Sequence, residues 1–216
     1  MIAVVDYGIG NLGSVTKGFR RAGAEVELTG DPDRLRQAAA LVLPGDGAFG
    51  AAIAEIESRG LLPVLHEAVE MGTPLFGICI GMQLLFEESE EHGQNRGLGL
   101  LPGRVRRFDE GLPVPHMGWN TLRARRPHAL LEGVADGSHV YFVHSYYCDA
   151  PDDVVIAESD YGRAFPAIVG RGSVVGMQFH PEKSQAVGLR LVANFVKGLG
   201  SRASRPRDAS REQGAA

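Results

Sequence analysis

Pro74-Leu75-Phe76-Gly77-Ile78-Cys79-Ile80-Gly81-Met82-Gln83-Leu84-Leu85 decides how the rest of the chain is read. It opens as an apolar run with strand character and turns at Gly77–Gly81 into an apolar–polar helical pattern. A Gly-x-nucleophile-x-Gly segment between a strand and a helix is the plan of a nucleophile elbow, here with Cys where hydrolases carry Ser. The two glycines let strand and helix backbones approach closely at the turn. The apex side chain then projects outward, with the helix starting beneath it. The unpaired N–H groups and positive dipole end of that helix favour a thiolate. The N–H of Ile80 is free to bind an oxyanion. Taken alone, such a Cys is as readily an inert thiol in a strand–helix core, since free Cys is among the most buried residue types. The flanking glycines tip the reading toward catalysis.

Upstream, strand and helix patterns alternate. Ile2–Val5 reads as a buried first strand that leaves through Asp6-Tyr7-Gly8. Gly8-Ile9-Gly10-Asn11-Leu12-Gly13 satisfies G-x-G-x-x-G literally, and Glu25 or Glu27 could supply a ribose acid. A tight strand–helix turn that needs small residues explains the segment better. A helix from about Ser14 to Ala22 is closed by Gly23, and Glu25–Leu28 alternates as a strand. Asp31-Pro32 starts a short helix, and Ala40–Leu43 is the third strand. Pro44-Gly45-Asp46-Gly47-Ala48-Phe49-Gly50 is built for close backbone approach, either as an ordinary turn or to aim N–H groups at a ligand oxygen. Ala51–Ser58 and Leu61–Met71 read as helices separated by Gly60 and Pro63. The alternation predicts an α/β fold: a three-layer, open, mainly parallel sheet with helices on both faces.

Downstream, the acidic run Glu87–Glu91 reads as a solvated helix end. From Arg104 to Val143 the short alternating stretches Val105–Phe108, Trp119–Leu122 and Val140–Val143 predict a small strand-rich subregion, partly antiparallel. Val154–Ala157, Ala167–Gly170 and Val174–Gln178 continue the strands. Phe179-His180-Pro181-Glu182-Lys183-Ser184 ends the last one. Ser184 is placed to cap a final helix whose Val187, Leu191, Phe195 and Leu199 share one face. The composition collapses after Gly200, so one domain over 1–200 and a disordered tail over 201–216 are expected.

The 216 residues, 44% of them hydrophobic, suffice for one well-buried domain. A net charge of -4 gives no basic field for nucleic acid. Two cysteines, Cys79 and Cys148, make a disulfide scaffold a poor reading and fit a reducing compartment. Met1-Ile2-Ala3-Val4-Val5-Asp6 lacks a basic leader, and no apolar run reaches membrane-spanning length, so a cytoplasmic protein is expected.

His180 and Glu182 are two apart at a strand end, a spacing that puts both side chains on one side of an extended chain. An imidazole beside a carboxylate, facing Cys79 from the neighbouring strand, makes a nucleophile–base–orienter set. A bare His-x-Glu is more often a surface strand end, but Pro181 stiffens this one. No metal is expected, because His116, His128, His139 and His144 lack ligand spacing.

Phe76-Gly77-Ile78-Cys79-Ile80-Gly81-Met82-Gln83, together with Gly176-Met177-Gln178-Phe179-His180-Pro181-Glu182, resembles the class I (triad) glutamine amidotransferases. Asp6–Leu12, Pro44–Phe49, Gly97–Gly103, Met117-Gly118-Trp119-Asn120 and His144-Ser145-Tyr146 extend the likeness to residue 200 or so. The Asp-Tyr-Gly start and Met-Gly-Trp-Asn favour the branch that serves imidazole glycerol phosphate synthesis.

The resemblance implies that Cys79, His180 and Glu182 are catalytic, with the oxyanion held at Ile80 and the Asp46–Gly47 turn. It implies glutamine contacts at Gly47, Gln83, Glu91, Ser145 and Tyr146, and no cofactor. It also implies a heterodimer with a separate (β/α)8-barrel cyclase subunit, to which ammonia passes. Asn11, Met117, Trp119, Asn120, Tyr141 and Lys183 are the candidate interface residues. Trp119 is otherwise a core residue beside the strand-rich region, and Cys148 is structural. The competing readings are the glutaminase of another synthase, a stand-alone γ-glutamyl hydrolase, and a non-catalytic binding subunit of the same fold.

Overall fold

The computed structural model describes residues 1–109 and 111–203. In chain order the elements are β1 (Ile2–Val5), α1 (Leu12–Arg21), β2 (Val26–Thr29), α2 (Pro32–Arg36), β3 (Ala40–Leu43), α3 (Phe49–Ser58), α4 (Leu61–Glu70), β4 (Leu75–Ile78) and α5 (Ile80–Gln83). There follow β5 (Glu88–Ser89), β6 (Asn95–Arg96), β7 (Arg104–Arg107), β8 (His116–Thr121), β9 (Arg123–Ala124), β10 (His139–His144) and β11 (Tyr146–Asp149). β12 (Val155–Asp160), β13 (Ala164–Arg171), β14 (Val174–Met177) and α6 (Gln185–Ala203) complete the fold.

The main sheet has eight strands in the order β2-β1-β3-β4-β14-β13-β12-β9. β2, β1, β3, β4 and β14 are mutually parallel, and β13, β12 and β9 run antiparallel beyond them. Every residue of β1, β3, β4 and β14 is buried, as strands covered on both faces require. Right-handed crossovers put α1 on one face and α2, α3 and α4 on the other. α6 returns to the α1 side, where Phe19 and Phe195 meet Phe76 of β4 with ring centroids 5.7 and 4.8 Å away. The expected strand-rich subregion is a β10–β8 antiparallel pair and a four-stranded sheet in the order β11-β7-β5-β6. None of the described helices is long and apolar enough to cross a membrane.

Four expectations change. The acidic run is not a solvated helix end. Glu87 accepts the Gly103 N–H at 2.8 Å, Glu90 accepts Arg107 N–H at 2.7 Å, and Glu91 accepts Phe49 N–H at 2.6 Å. These backbone donors lack sheet partners, and carboxylates are the strongest acceptors available to them. Pro63 does not break a helix: it sits in the first turn of α4, where its missing N–H costs nothing, and left-handed Gly60 (φ 66°) alone divides α3 from α4. The Ser184 hydroxyl donates to the His180 carbonyl at 2.7 Å and accepts Tyr141 N–H at 3.0 Å, tying β10 to the histidine. α6 runs to Ala203, three residues into the expected tail, and the remainder of that tail lies outside the described residues.

Candidate active site

β4 ends one residue before Cys79, whose backbone stands at φ 53°, ψ -112°. A non-glycine residue held there stores on the order of 1–3 kcal/mol of strain. The neighbours enforce it. A Cβ on Gly81 would stand 1.8 Å from the Leu43 carbonyl oxygen, and one on Gly77 would stand 2.5 Å from that of Gly81. Only glycine permits this approach of β3, β4 and α5, and the expectation of an elbow at Gly77–Gly81 is met. Cys79 N–H donates to the Met177 carbonyl at 2.8 Å, fastening the elbow to the end of β14. Ile80 opens α5, where an N–H has no intrahelical acceptor.

β14 pairs in parallel with β4, Met177 opposite Ile78, so the residues after both strands emerge side by side. That register brings His180 to Cys79. The His180–Glu182 pair forms by a different route from the one expected, because the chain leaves extended geometry at His180 and enters a single 3-10 turn, Pro181–Lys183. The turn folds the carboxylate back, and His180 Nδ1 stands 2.8 Å from Glu182 Oε1. Since a carboxylate accepts, Nδ1 carries a proton and Nε2 is the nitrogen left to face Cys79. Nε2 lies 3.9 Å from the Asp46 carboxylate. Burial pushes the His180 imidazole down, but the hydrogen bonds and charges of Cys79 and Glu182 outweigh it and raise its pKa to about 10. The protonated imidazolium is therefore the stable form of His180 beside Cys79 near neutrality.

A cavity of about 240 Å³ lies over Cys79, lined by Asp46, Gly47, Ile80, Gln83, Glu91, Ser145 and Tyr146. All the residues proposed from sequence for the oxyanion and for glutamine thus share one space. Gln83 is buried, its amide nitrogen held by the Tyr146 carbonyl at 3.1 Å and Gln178 Oε1 at 3.0 Å. Its Oε1 is buried and has no hydrogen-bond partner among the described residues. Glu91 is buried, with 8% of the residue exposed. A larger cavity, about 460 Å³, opens between Gly18 and Arg21 of α1 and the Pro181–Ala186 segment, away from the thiol.

Sequence reasoning passed over four residues. Buried Tyr7 donates its hydroxyl to the Pro44 carbonyl at 2.5 Å and so anchors the loop that carries Asp46 and Gly47. Burial, with Asp46 and Cys79, pushes this phenol up, so it stays a donor. Gln178 stands behind both Gln83 and the thiol, its Nε2 3.9 Å from Cys79 Sγ. His116 and His144 meet in the β8–β10 pair, 3.0 Å apart through their ring nitrogens. The signal for Tyr7, Gln178 and His144 was their place inside the quoted motifs; His116 left none in linear spacing.

The candidate interface residues divide. Met117 and Trp119 are 63% and 47% exposed, so Trp119 is not a core residue. Tyr141 pairs with Trp119 across β10 and β8, ring to ring at 5.9 Å. Asn11 and Lys183 are exposed. Asn120 is turned inward: its amide nitrogen contacts His116 and donates to the Asp160 carbonyl at 2.7 Å. Cys148 is fully buried, and burial raises its thiol well above the ordinary range, as suits a structural cysteine. The glycine-rich segment turns through Gly8 and Gly10 at positive φ, and the Asn11 side chain takes the Ser14 N–H at the α1 N-terminus. Among the described residues no cluster of His, Cys, Asp or Glu could hold a metal.

Comparison with known proteins agrees with this geometry. The family model described as glutamine amidotransferase class-I matches residues 3–199. A Geobacillus kaustophilus protein called imidazole glycerol phosphate synthase subunit HisH is 55% identical over 203 residues, covering 91% of this chain and 96% of the relative. The Streptococcus gordonii protein of the same name is 51% identical, covering 90% and 95%. A crystal structure described as that of a glutamine amidotransferase superposes with a TM-score of 0.73 at 24% identity, covering 92% of this chain and 98% of the other. A chain from the structure of PurLQS from Thermotoga maritima superposes at 0.72 and 19% identity, again covering 92% and 98%, and like the first it shares the fold. With the elbow, the His–Glu pair and the match over residues 3–199 in agreement, the chain belongs to the class I glutamine amidotransferases.

Proposed function

We propose that the chain is the glutaminase subunit of an imidazole glycerol phosphate synthase, releasing ammonia from glutamine for a separate cyclase subunit in histidine biosynthesis. The likeness to the two named relatives supports this role. The observation that carries the chemistry is the strained Cys79 beside the His180–Glu182 pair, in one cavity with Gln83 and Glu91.

The Cys79 thiolate attacks the side-chain amide carbon of glutamine, and the carbonyl oxygen becomes an oxyanion. Ile80 N–H and a second N–H from the Asp46–Gly47 turn hold it; one such donor is worth on the order of a hundredfold in rate. The His180 imidazolium gives its Nε2 proton to the leaving nitrogen, ammonia departs, and a glutamyl thioester remains. Neutral His180 then takes a proton from water, which attacks the thioester and frees glutamate and the thiolate. Glu182 keeps Nδ1 protonated throughout. Glu91 faces the substrate's α-ammonium, and Gln83 with the Ser145–Tyr146 wall bounds the space for its amino acid end. Exposed Met117 and Trp119, with Tyr141, Asn11 and Lys183, form the docking face for the cyclase.

The test is glutamate release from glutamine by the chain alone and with the cognate cyclase and its nucleotide ligand. A large rise in the complex is expected. Full activity alone, unchanged by the cyclase, would point instead to an independent hydrolase.

A further inference from the structure

The Ser145–Tyr146 wall of the cavity is held from behind by side chains that the reaction itself does not use. His144 Nδ1 lies 2.7 Å from the Tyr146 carbonyl oxygen, and a carbonyl only accepts, so Nδ1 carries the proton. Nε2 of the neutral ring is then an acceptor, and it takes the Nδ1–H of His116 at 3.0 Å. His116 Nε2 accepts in turn, from Asn120 Nδ2 at 3.2 Å. The remaining hydrogen of that amide goes to the Asp160 carbonyl at 2.7 Å, and Asn120 Oδ1 accepts Thr121 N–H at 2.8 Å. Each group has one role, so the chain has one direction and fixes both tautomers. Its far end is the Tyr146 carbonyl, which also receives the amide of Gln83 at 3.1 Å.

Burial lowers the His116 pKa to about 4. Burial, reinforced by His116 and His180 and opposed by the bond to Tyr146, lowers that of His144 to about 3. Both rings are therefore uncharged near neutrality, as the chain of bonds requires. His144 itself lines the cavity.

We propose that His116 and His144 are positioning residues for the substrate. Together they fix the Ser145–Tyr146 wall and, through the Tyr146 carbonyl, the amide of Gln83. They thereby set the affinity for glutamine more than the rate of attack by Cys79. The inference rests on the glutamine reading above. The bland alternative is packing, since the His116 ring stacks on Tyr161 with centroids 4.2 Å apart and on Phe142 at 5.0 Å.

Two variants separate these roles in the complete synthase. His116→Phe keeps a flat ring for the stack and removes the donor to His144. His116→Asn loses the stack but keeps an amide donor where Nδ1 stood. Positioning predicts that His116→Phe raises KM for glutamine about tenfold with kcat changed by less than about threefold. It also predicts that His116→Asn returns KM to within about threefold of wild type even if Tm falls. The opposite order, with a wild-type KM in His116→Phe and a raised one in His116→Asn, overturns the proposal. Nitrogen-15 NMR of the histidine-labelled chain reads the same network without turnover. Both rings should be neutral and protonated on Nδ1 at pH 7, and an Nε2–H on either one overturns it. A wild-type synthase that does not use glutamine would sink the glutamine reading and the ligand named here, while the NMR result still decides the relay.

Discussion

Glu91 accepts the backbone N–H of Phe49 at 2.6 Å, across 42 positions of sequence. Phe49 is the first residue of α3, whose preceding residue Ala48 offers no side-chain cap. A carboxylate from the turn between β5 and β6 thus supplies the missing cap and sits at the positive end of the helix dipole. The same carboxylate lines the cavity over Cys79, so the loop bearing Gly47 and the floor of the pocket are fixed to each other.

Replacing this group separates its two roles. Glu91→Gln keeps an oxygen for Phe49 and loses the charge. It should raise KM for glutamine about tenfold or more, since a bond to a charged group contributes roughly 1.5–3 kcal/mol, with little change in Tm. Glu91→Ala also strips the cap, at about 0.5–2 kcal/mol. Thermal unfolding alongside steady-state kinetics checks both, and a Tm loss in Glu91→Gln equal to that in Glu91→Ala would refute the division.

Cys79 carries backbone strain that its place at the elbow imposes. Cys79→Gly should abolish glutamine-dependent turnover and raise the unfolding free energy by about 1 kcal/mol, because glycine adopts this backbone without penalty. Cys79→Ala should abolish the same turnover while free ammonia still sustains the cyclase. Urea unfolding and the two synthase assays decide; loss of the ammonia-dependent reaction as well would mean damage to fold or assembly.

Gly81→Ala has no room to be mild. The added methyl meets backbone, not a movable side chain, 1.8 Å from the Leu43 oxygen. A cost of about 3 kcal/mol or more is expected, with loss of soluble folded protein or of all thiol chemistry. A variant with wild-type urea midpoint and activity would contradict the packing described.

Stability should fall on both sides of a pH near 6.5, for opposite reasons. His180 has a folded pKa raised to about 10, so its contribution is full below its unfolded value and is lost as pH rises toward 10. His116 and His144 have folded values lowered to about 4 and 3, so theirs is present above the unfolded value and is lost as pH falls through that range. Glu182→Gln removes one cause of the His180 rise and should pull the alkaline decline to lower pH. His116→Phe should flatten the acid decline. Urea midpoints across pH 3.5–10 test both arms, and unchanged arms in the two variants would refute the assignments.

The central strands and the elbow were legible because they depend on local pattern: unbroken apolar runs for strands buried on both faces, and Gly77 and Gly81 at fixed offsets from Cys79. The juxtaposition of Cys79 with the His180–Glu182 pair was legible because they sit at two strand ends that parallel pairing must bring together. The roles of Glu87, Glu90 and Glu91 were not, since a carboxylate run looks the same whether it meets water or distant backbone donors. The His116–His144 contact was invisible for a related reason: it depends on the register of β8 against β10, which no spacing along the chain encodes. Asn120, expected among the interface residues, stands at the fixed end of that contact.

The elbow is fastened by the Met177 carbonyl and faces Gln178, which is 99 positions away in sequence. During synthesis the thiol of Cys79 is therefore made long before β14 exists to insert beside β4. Until that strand arrives, Cys79 has no imidazole beside it, and the bond that fastens the elbow to β14 is unmade. The order of translation thus assembles the proposed site last, when the sheet is closed by its final strand.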